Sequence, residues 1–168
     1  MINIITDISQ LSFSQWMSVY EESLNKDAKR HYLNLDRNVA LLYAQQDLYS
    51  YLESVFFSTK GAAAAVWLVD GAYVSALRFE PYQDGYLITA METKPCMRGK
   101  GFAQKLLGGV SALLFHQYKL PIYSHVHRDN SASIACHRKC GFVTEYEHAL
   151  FLDGSFHPEC STMIYKEI

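Results

Sequence analysis

No stretch of this sequence approaches the roughly 20 apolar residues that a membrane-spanning helix needs. Proline-, glycine- or serine-rich linkers, low-complexity tracts and internal repeats are also missing. Basic charge is not in excess, since 15 Lys and Arg face 17 Asp and Glu for a net charge of -2. A basic face for nucleic acid is therefore not expected, nor is a membrane partner. The four cysteines, Cys96, Cys136, Cys140 and Cys160, do not resemble a disulfide framework in a chain of this length. Met1 to Gln10 lacks the cationic-then-apolar pattern of an export signal, so a cytoplasmic protein with reduced thiols is the expectation. Cys136 and Cys140 lie one helical turn apart, with His137 and His157 as further ligand types. Zinc sites show tighter paired spacings, and no metal is expected.

What is present suffices for a core. Of 168 residues, 49% are hydrophobic and 19% charged, which fits one globular domain over residues 1–168. Ile2 to Ile5 reads as a strand. Ser12 and Gln15 stand at capping-box spacing, and Phe13, Trp16, Tyr20 and Leu24 follow at helical intervals. After a polar stretch, Leu41, Gln45, Leu48, Leu52 and Val55 share one face of a second helix. From Gly61 the period changes to that of strands, with Asp70-Gly71 as a two-residue hairpin turn. Gly85 to Thr93 is a third such run. A helix containing Phe102, Leu106, Val110, Leu113 and Leu114 comes next, then a strand over Pro121 to Val126. Asn130 to Cys140 predicts a helix stopped by Gly141, and two antiparallel runs close the chain. The class is α/β (α+β), in three layers around one mostly antiparallel sheet. The strand-helix-strand unit from Gly85 to Val126 is expected to be parallel.

The segment "KPCMRGKGFAQKLL", Lys94 to Leu107, sits where strand gives way to helix. The first amides of a helix lack intrahelical partners, and the macrodipole makes that end partly positive. Gly99 and Gly101 remove Cβ atoms and permit left-handed angles, while Arg98 and Lys100 add charge. Together these describe a phosphate cradle. The Walker motif is excluded by spacing and by the missing hydroxyl residue after the lysine. The dinucleotide fingerprint lacks its third small residue and its acid. Tight packing of helix against strand is the competing explanation for Gly99 and Gly101, and the preferred one for Gly108-Gly109.

Two segments together carry a resemblance. "TKPCMRGKGFAQKLL" resembles the acyl-CoA signature of the GNAT superfamily of N-acetyltransferases, with Thr93, Pro95, Arg98, Gly101 and Ala103 at the matching places. About thirty residues on, "NSASIACHRKCGF" matches the family's second motif at Asn130 and at Gly141-Phe142. The order of elements agrees over nearly the whole chain. The family's tyrosine place holds His137. With Asn130 and Ser133, this is similar to the branch containing the phosphinothricin acetyltransferases.

The resemblance implies a GNAT-like sheet of about seven strands, helices on both faces and a splayed parallel pair. It implies acetyl-CoA as cosubstrate and direct attack of a small-molecule or peptide primary amine on the thioester. Arg98, Gly99, Lys100, Gly101, Phe102 and Ala103 would hold the diphosphate. Main-chain groups near Met91 and Thr93 would hold the pantetheine arm, with Asn130 and Ser133 beside it. His137 would protonate the departing thiolate, for which an imidazolium is acidic enough. Strand alternation would put Gly85, Leu87, Thr89, Met91 and Thr93 on the reacting face and Glu92 on the other. Glu80, Tyr82, His125 and His127 are then the titratable groups left as bases.

The acceptor would be walled by residues 25–38 and 152–161. The first segment carries Lys26, Lys29, Arg30, His31 and Arg37 against Asp27 and Asp36. That mixture offers either a wall for a carboxylate-bearing acceptor or a solvated helix end. Tyr32, Tyr43 and Tyr49 are candidates for the pocket wall, although aromatics at helical spacing are usually core. The antiparallel C-terminal strands offer an edge for a homodimer. A weakly catalytic acyl-CoA-binding module and an O-acetyltransferase are alternative uses of the same slot.

Overall fold

A computed structural model describes residues 1–167 of the chain. The chain enters as β1 (Ile2–Ile5) and crosses one face of the sheet as α1 (Phe13–Val19), α2 (Glu21–His31) and α3 (Arg37–Tyr51). A meander follows, made of β2 (Ala63–Val69), β3 (Ala72–Tyr82) and β4 (Gly85–Thr93). Helix α4 (Phe102–Tyr118) leads to β5 (Ile122–His127), and α5 (Ser131–Lys139) leads to β6 (Phe142–Tyr146). The small hairpin of β7 (Ala149–Leu150) and β8 (Phe156–His157) precedes the last strand, β9 (Cys160–Tyr165).

Seven strands form one sheet in the order β1-β2-β3-β4-β5-β9-β6. All neighbours are antiparallel except β4 and β5. Alternation along β2 and β3 sends side chains to both faces, as a sheet with helices on each side requires. Ala64, Val66 and Ala76 meet Trp16, Val19, Leu24 and Phe56 on the side of α1 to α3. Ala65, Leu77 and Ile88 meet Leu106, Val110, Leu114 and Phe142 on the opposite side. Gly109 lets α4 lie close to β1, because a Cβ there would stand 2.4 Å from Cδ1 of Ile2. That is the packing role expected for this glycine.

Three local expectations change. The first helix is two, since α1 ends before Tyr20, which caps both α1 and α2. The capping box is not formed. The Ser12 side chain makes no cap bond, and the Gln15 Oε1 instead accepts the Tyr73 amide of β3 at 2.7 Å. A long-range backbone donor at a buried strand thus takes the acceptor that local spacing assigned to the helix. Tyr43 and Tyr49 are exposed rather than core residues.

The two strands of the parallel pair touch over a short length. Their register pairs are Tyr86 with Ile122, Leu87 with Tyr123 and Ile88 with Ser124. Beyond Ile88 the edge of β4 that faces β5 has no ladder partner, and the sheet forks. The close start of that pair requires Gly85, where a Cβ would fall 2.0 Å from the Pro121 carbonyl oxygen.

Candidate cofactor cleft

The β4 arm of the fork, the N-terminus of α4, helix α5 and Glu22, Ser23 and Lys26 of α2 line a cleft of about 700 Å3. At its edge Gly99 and Gly101 have φ of 75° and 78°, in the left-handed region where side chains are strained. A Cβ at either would meet nothing within 4 Å, so these glycines serve the backbone path and not tight packing. Gly101 caps α4 without a side-chain acceptor. The first-turn amides of α4 are therefore left for a ligand, at the positive end of a 17-residue helix.

Arg98 is anchored. Its Nε donates to the Thr93 carbonyl at 3.1 Å, and its Nη1 lies 2.6 Å from Oε2 of Glu22 on α2. The guanidinium thus ties the turn to both β4 and α2. Lys100 lies outside the cleft lining, with Nζ 3.6 Å from the Met97 sulfur. Met91, Thr93, Gly99, Gly101, Phe102 and Ala103 line the cleft together with Asn130 and Ser133. The Asn130 side chain caps α5 by accepting the Ser133 amide at 3.0 Å. The sequence-predicted cofactor residues thus converge, Lys100 excepted.

His137 is not among the lining residues. It is 2% exposed. Its Nδ1 lies 2.8 Å from the Ser133 carbonyl oxygen, which can only accept, so Nδ1 carries the proton. The other nitrogen, Nε2, is 2.9 Å from the Ser124 hydroxyl of β5 and accepts from it. Burial lowers the pKa of this imidazole. The ring is a neutral bridge between α5 and β5.

Glu92 is where alternation misleads. Between Ala76 and Arg78 on β3 the register to β4 jumps from Glu92 to Thr89, so β4 carries one extra residue. Ala90 adopts φ of 50° there, a β-bulge with a left-handed non-glycine. The bulge reverses the phase of the strand. Met91 packs beneath α4 with Ile88, while Ala90 packs on the side of α1 to α3. Glu92 turns toward α2, where the Ser23 hydroxyl donates to its carboxylate, and it lines the cleft. Its pKa is raised, first by burial, with the Ser23 hydrogen bond and Arg98 opposing. No signal in residues 85–93 announces the bulge, because alanine is an unusual residue for it.

The remaining titratable candidates lie elsewhere. Tyr82 donates to the Leu150 carbonyl at 2.7 Å. His125 stacks on Phe151 and contacts that same carbonyl through Nε2 at 3.1 Å. Glu80 is nearly buried, with its pKa raised by desolvation, and His127 is exposed beside Asp129. None of the four lines the cleft. Among the described residues no group of three or more His, Cys, Asp or Glu is gathered for a metal. Among the same residues no helix is long and apolar enough to cross a membrane.

With this geometry in place, comparison decides the family. A model of the acetyltransferase (GNAT) family matches residues 13–142, well over half of the chain. The chain belongs to the GNAT acetyltransferase family. As a GNAT protein it is an acyltransferase, and its forked seven-stranded sheet is the family's fold. No curated protein matches the sequence. Among solved structures it is similar to the PaiA N-acetyltransferase of Thermoplasma acidophilum, crystallised with coenzyme A. That similarity has 16% identity and a TM-score of 0.64 over 99% of each chain. A ribosomal-protein-alanine N-acetyltransferase from Escherichia coli gives 14% identity and a TM-score of 0.59, covering 98% of this chain and 93% of that one. A chimeric spermidine N-acetyltransferase from Vibrio cholerae gives 17% and 0.59, covering 98% and 94%. Identities this low speak for the shared fold.

Proposed function

We propose that this GNAT protein is an acetyl-CoA-dependent N-acetyltransferase that acetylates a primary amine of a small molecule. The observation that carries the reading is the turn at Gly99 to Ala103. Two left-handed glycines there aim uncapped helix amides into a cleft that continues to the fork. A diphosphate suits that end, and an extended arm suits the unpaired edge of β4. Acetyl-CoA, when bound, supplies the thioester whose acetyl group is transferred.

The chain's own residues take the following parts. Amides of residues 99–103 bind the diphosphate. Main-chain groups at Met91 and Thr93 pair with the arm and orient the thioester carbonyl, a preorganised contribution because backbone does not reorient during reaction. Asn130 and Ser133 wall the arm from α5. Glu92 accepts a proton from the incoming amine, and its raised pKa makes it a stronger base than an ordinary glutamate. His137 holds α5 against β5 through Ser133 and Ser124. The structural relatives named for spermidine and for a ribosomal-protein alanine are in keeping with an amine acceptor.

Calorimetry with acetyl-CoA, followed by thiol release over a panel of amines, tests this reading. Saturable binding and amine-dependent release with an amide product are expected. Failure to bind acetyl-CoA overturns the reading. Binding without release for any amine points to a binding module, and an ester product points to hydroxyl acceptors.

A further inference from the structure

A second cavity of about 380 Å3 lies between α2, α3 and β3. Arg78 of β3 stands at its floor. The Nε and Nη1 atoms of this residue are buried and have no hydrogen-bond partner among the described residues. The guanidinium lies 5.0 Å from the ring centre of Tyr51 and 5.4 Å from that of Phe56. These two rings are brought together by the wider helical turn, Leu52–Phe56, that extends α3. Ring faces steady a cation but take up none of its in-plane N–H donors. A buried donor left unsatisfied is costly, and natural structures seldom keep one without a partner from outside. Glu80 is on the same strand face and close enough to act on Arg78 electrostatically, yet forms no ion pair with it.

Beyond Arg78 the wall carries two carboxylates, with His31, two tyrosines, Ala44 and Leu48 between them. Asp27 of α2 and Asp47 of α3 both line it, and the Tyr32 hydroxyl donates to the Asp47 carboxylate. One inward guanidinium with two outer carboxylates complements a zwitterion, not a phosphate dianion, which the aspartates would repel. The two cavities share no lining residue but lie along the same helix and the same pair of strands. Ala76 pairs with Glu92 and Arg78 with Thr89, so Arg78 and Glu92 are diagonal neighbours across β3 and β4. Such positions are roughly 7–8 Å apart. Helix α2 joins the two cavities, giving Ser23 to the cleft and Asp27 to the second site. These lie four residues apart, a rise of about 6 Å.

We propose that Arg78 binds the carboxylate of an amino-acid-like acceptor, from the strand next to the one that carries Glu92. The inference rests on the acetyltransferase reading and narrows its acceptor to amines that also carry a carboxylate. It moves anion recognition away from the basic run of residues 26–37, where Lys29, Arg30 and Arg37 are solvated. A guanidinium suits the role because its fork binds a carboxylate through two parallel hydrogen bonds.

The test is a set of α-amino acids, each paired with the amine obtained by removing its carboxylate, assayed by thiol release from acetyl-CoA. For the wild type, kcat/KM is expected to favour the carboxylated member of the best pair by about 10²-fold. Arg78→Met should collapse that ratio, and Arg78→Lys should keep part of it. Acetyl-CoA affinity, measured in parallel, reports whether the variants fold. A wild type that prefers the decarboxylated amines overturns the inference while leaving acetyl transfer intact. Should no amine be acetylated, equilibrium dialysis of the same amino acids against protein saturated with coenzyme A decides separately. Retention lost in Arg78→Met supports the site even though the transfer reading has failed, and no retention by the wild type overturns it.

Discussion

Tyr20 donates its phenolic hydroxyl to the carbonyl of Ala90, 2.5 Å away across the gap between α2 and β4. This bond grips the strained residue of the bulge. A second bond, from the Ser75 hydroxyl to the Glu92 carbonyl at 2.7 Å, grips it two residues on. Left-handed angles at a non-glycine residue cost about 1–2 kcal/mol, so the bulge needs such anchors to persist. Tyr20→Phe keeps the ring packing on Trp16 and removes only the anchor. Denaturant unfolding should show a loss of about 1–2 kcal/mol. Activity should fall further than that, because Glu92 and Met91 lose their phase.

Glu92→Gln keeps shape and the Ser23 contact but removes the base. Turnover should drop about 10²-fold or more, with acetyl-CoA affinity by calorimetry nearly unchanged. The wild-type pH profile carries the same signature. Because the carboxylate is the active form and burial raises its pKa, the rate should climb with pH through a midpoint above the ordinary glutamate range. Glu92→Gln should erase that limb. An unchanged profile in this variant would remove Glu92 from the mechanism.

Gly101→Ala places a Cβ on a residue at φ 78°, at a cost of about 1–2 kcal/mol. The space around it is open, so the penalty is conformational and falls on the turn proposed to meet the diphosphate. Acetyl-CoA binding measured by calorimetry should weaken roughly tenfold. The same substitution at Gly154, also at positive φ but in the β7-β8 connection, should strain the chain without touching cofactor affinity.

His137 gives a stability prediction. Its pKa is lower in the folded protein than in the unfolded chain, because burial disfavours the charged ring. The unfolded chain therefore binds the extra proton first as pH falls. The contribution to stability is complete above the unfolded value near 6.5 and is lost as pH drops toward the folded one. Melting temperature should decline below about pH 6.5, and His137→Asn should flatten that decline while lowering Tm at neutral pH. His125, whose pKa burial also lowers, retains its own share of the acid sensitivity. A variant whose Tm follows wild type at every pH would contradict the neutral bridge.

Much of the architecture is legible in the chain because its signals are local. Asp70-Gly71 forms its hairpin, the Gly99 and Gly101 turn opens α4, and Asn130 caps α5. The Gly99 to Ala103 turn could be read as an anion site because helix ends carry a fixed electrostatic meaning, and the motif resemblance brought Asn130 and Ser133 to the same cleft. Glu92 could not be placed there, since a single inserted residue at Ala90 inverts every side chain after it and leaves no trace in composition. The surroundings of His137 were equally out of reach. Motif position fixes the helix it sits on, but the partner of its Nε2 is Ser124, on a strand thirteen residues earlier. Arg78 was invisible, since one arginine in a strand announces neither the rings beside it nor the lack of a partner.

The short ladder between β4 and β5 has a mechanical consequence. Among the described residues, the sheet ladder between its four-strand and three-strand halves runs only through the pairs at Tyr86, Leu87 and Ile88. Below the fork the halves are held by the core under α4, and above it by no strand pairing. A long ligand spanning the gap would brace them, so amide deuterium exchange at those pairs should slow when coenzyme A is added, and hardly change at the β2-β3 hairpin.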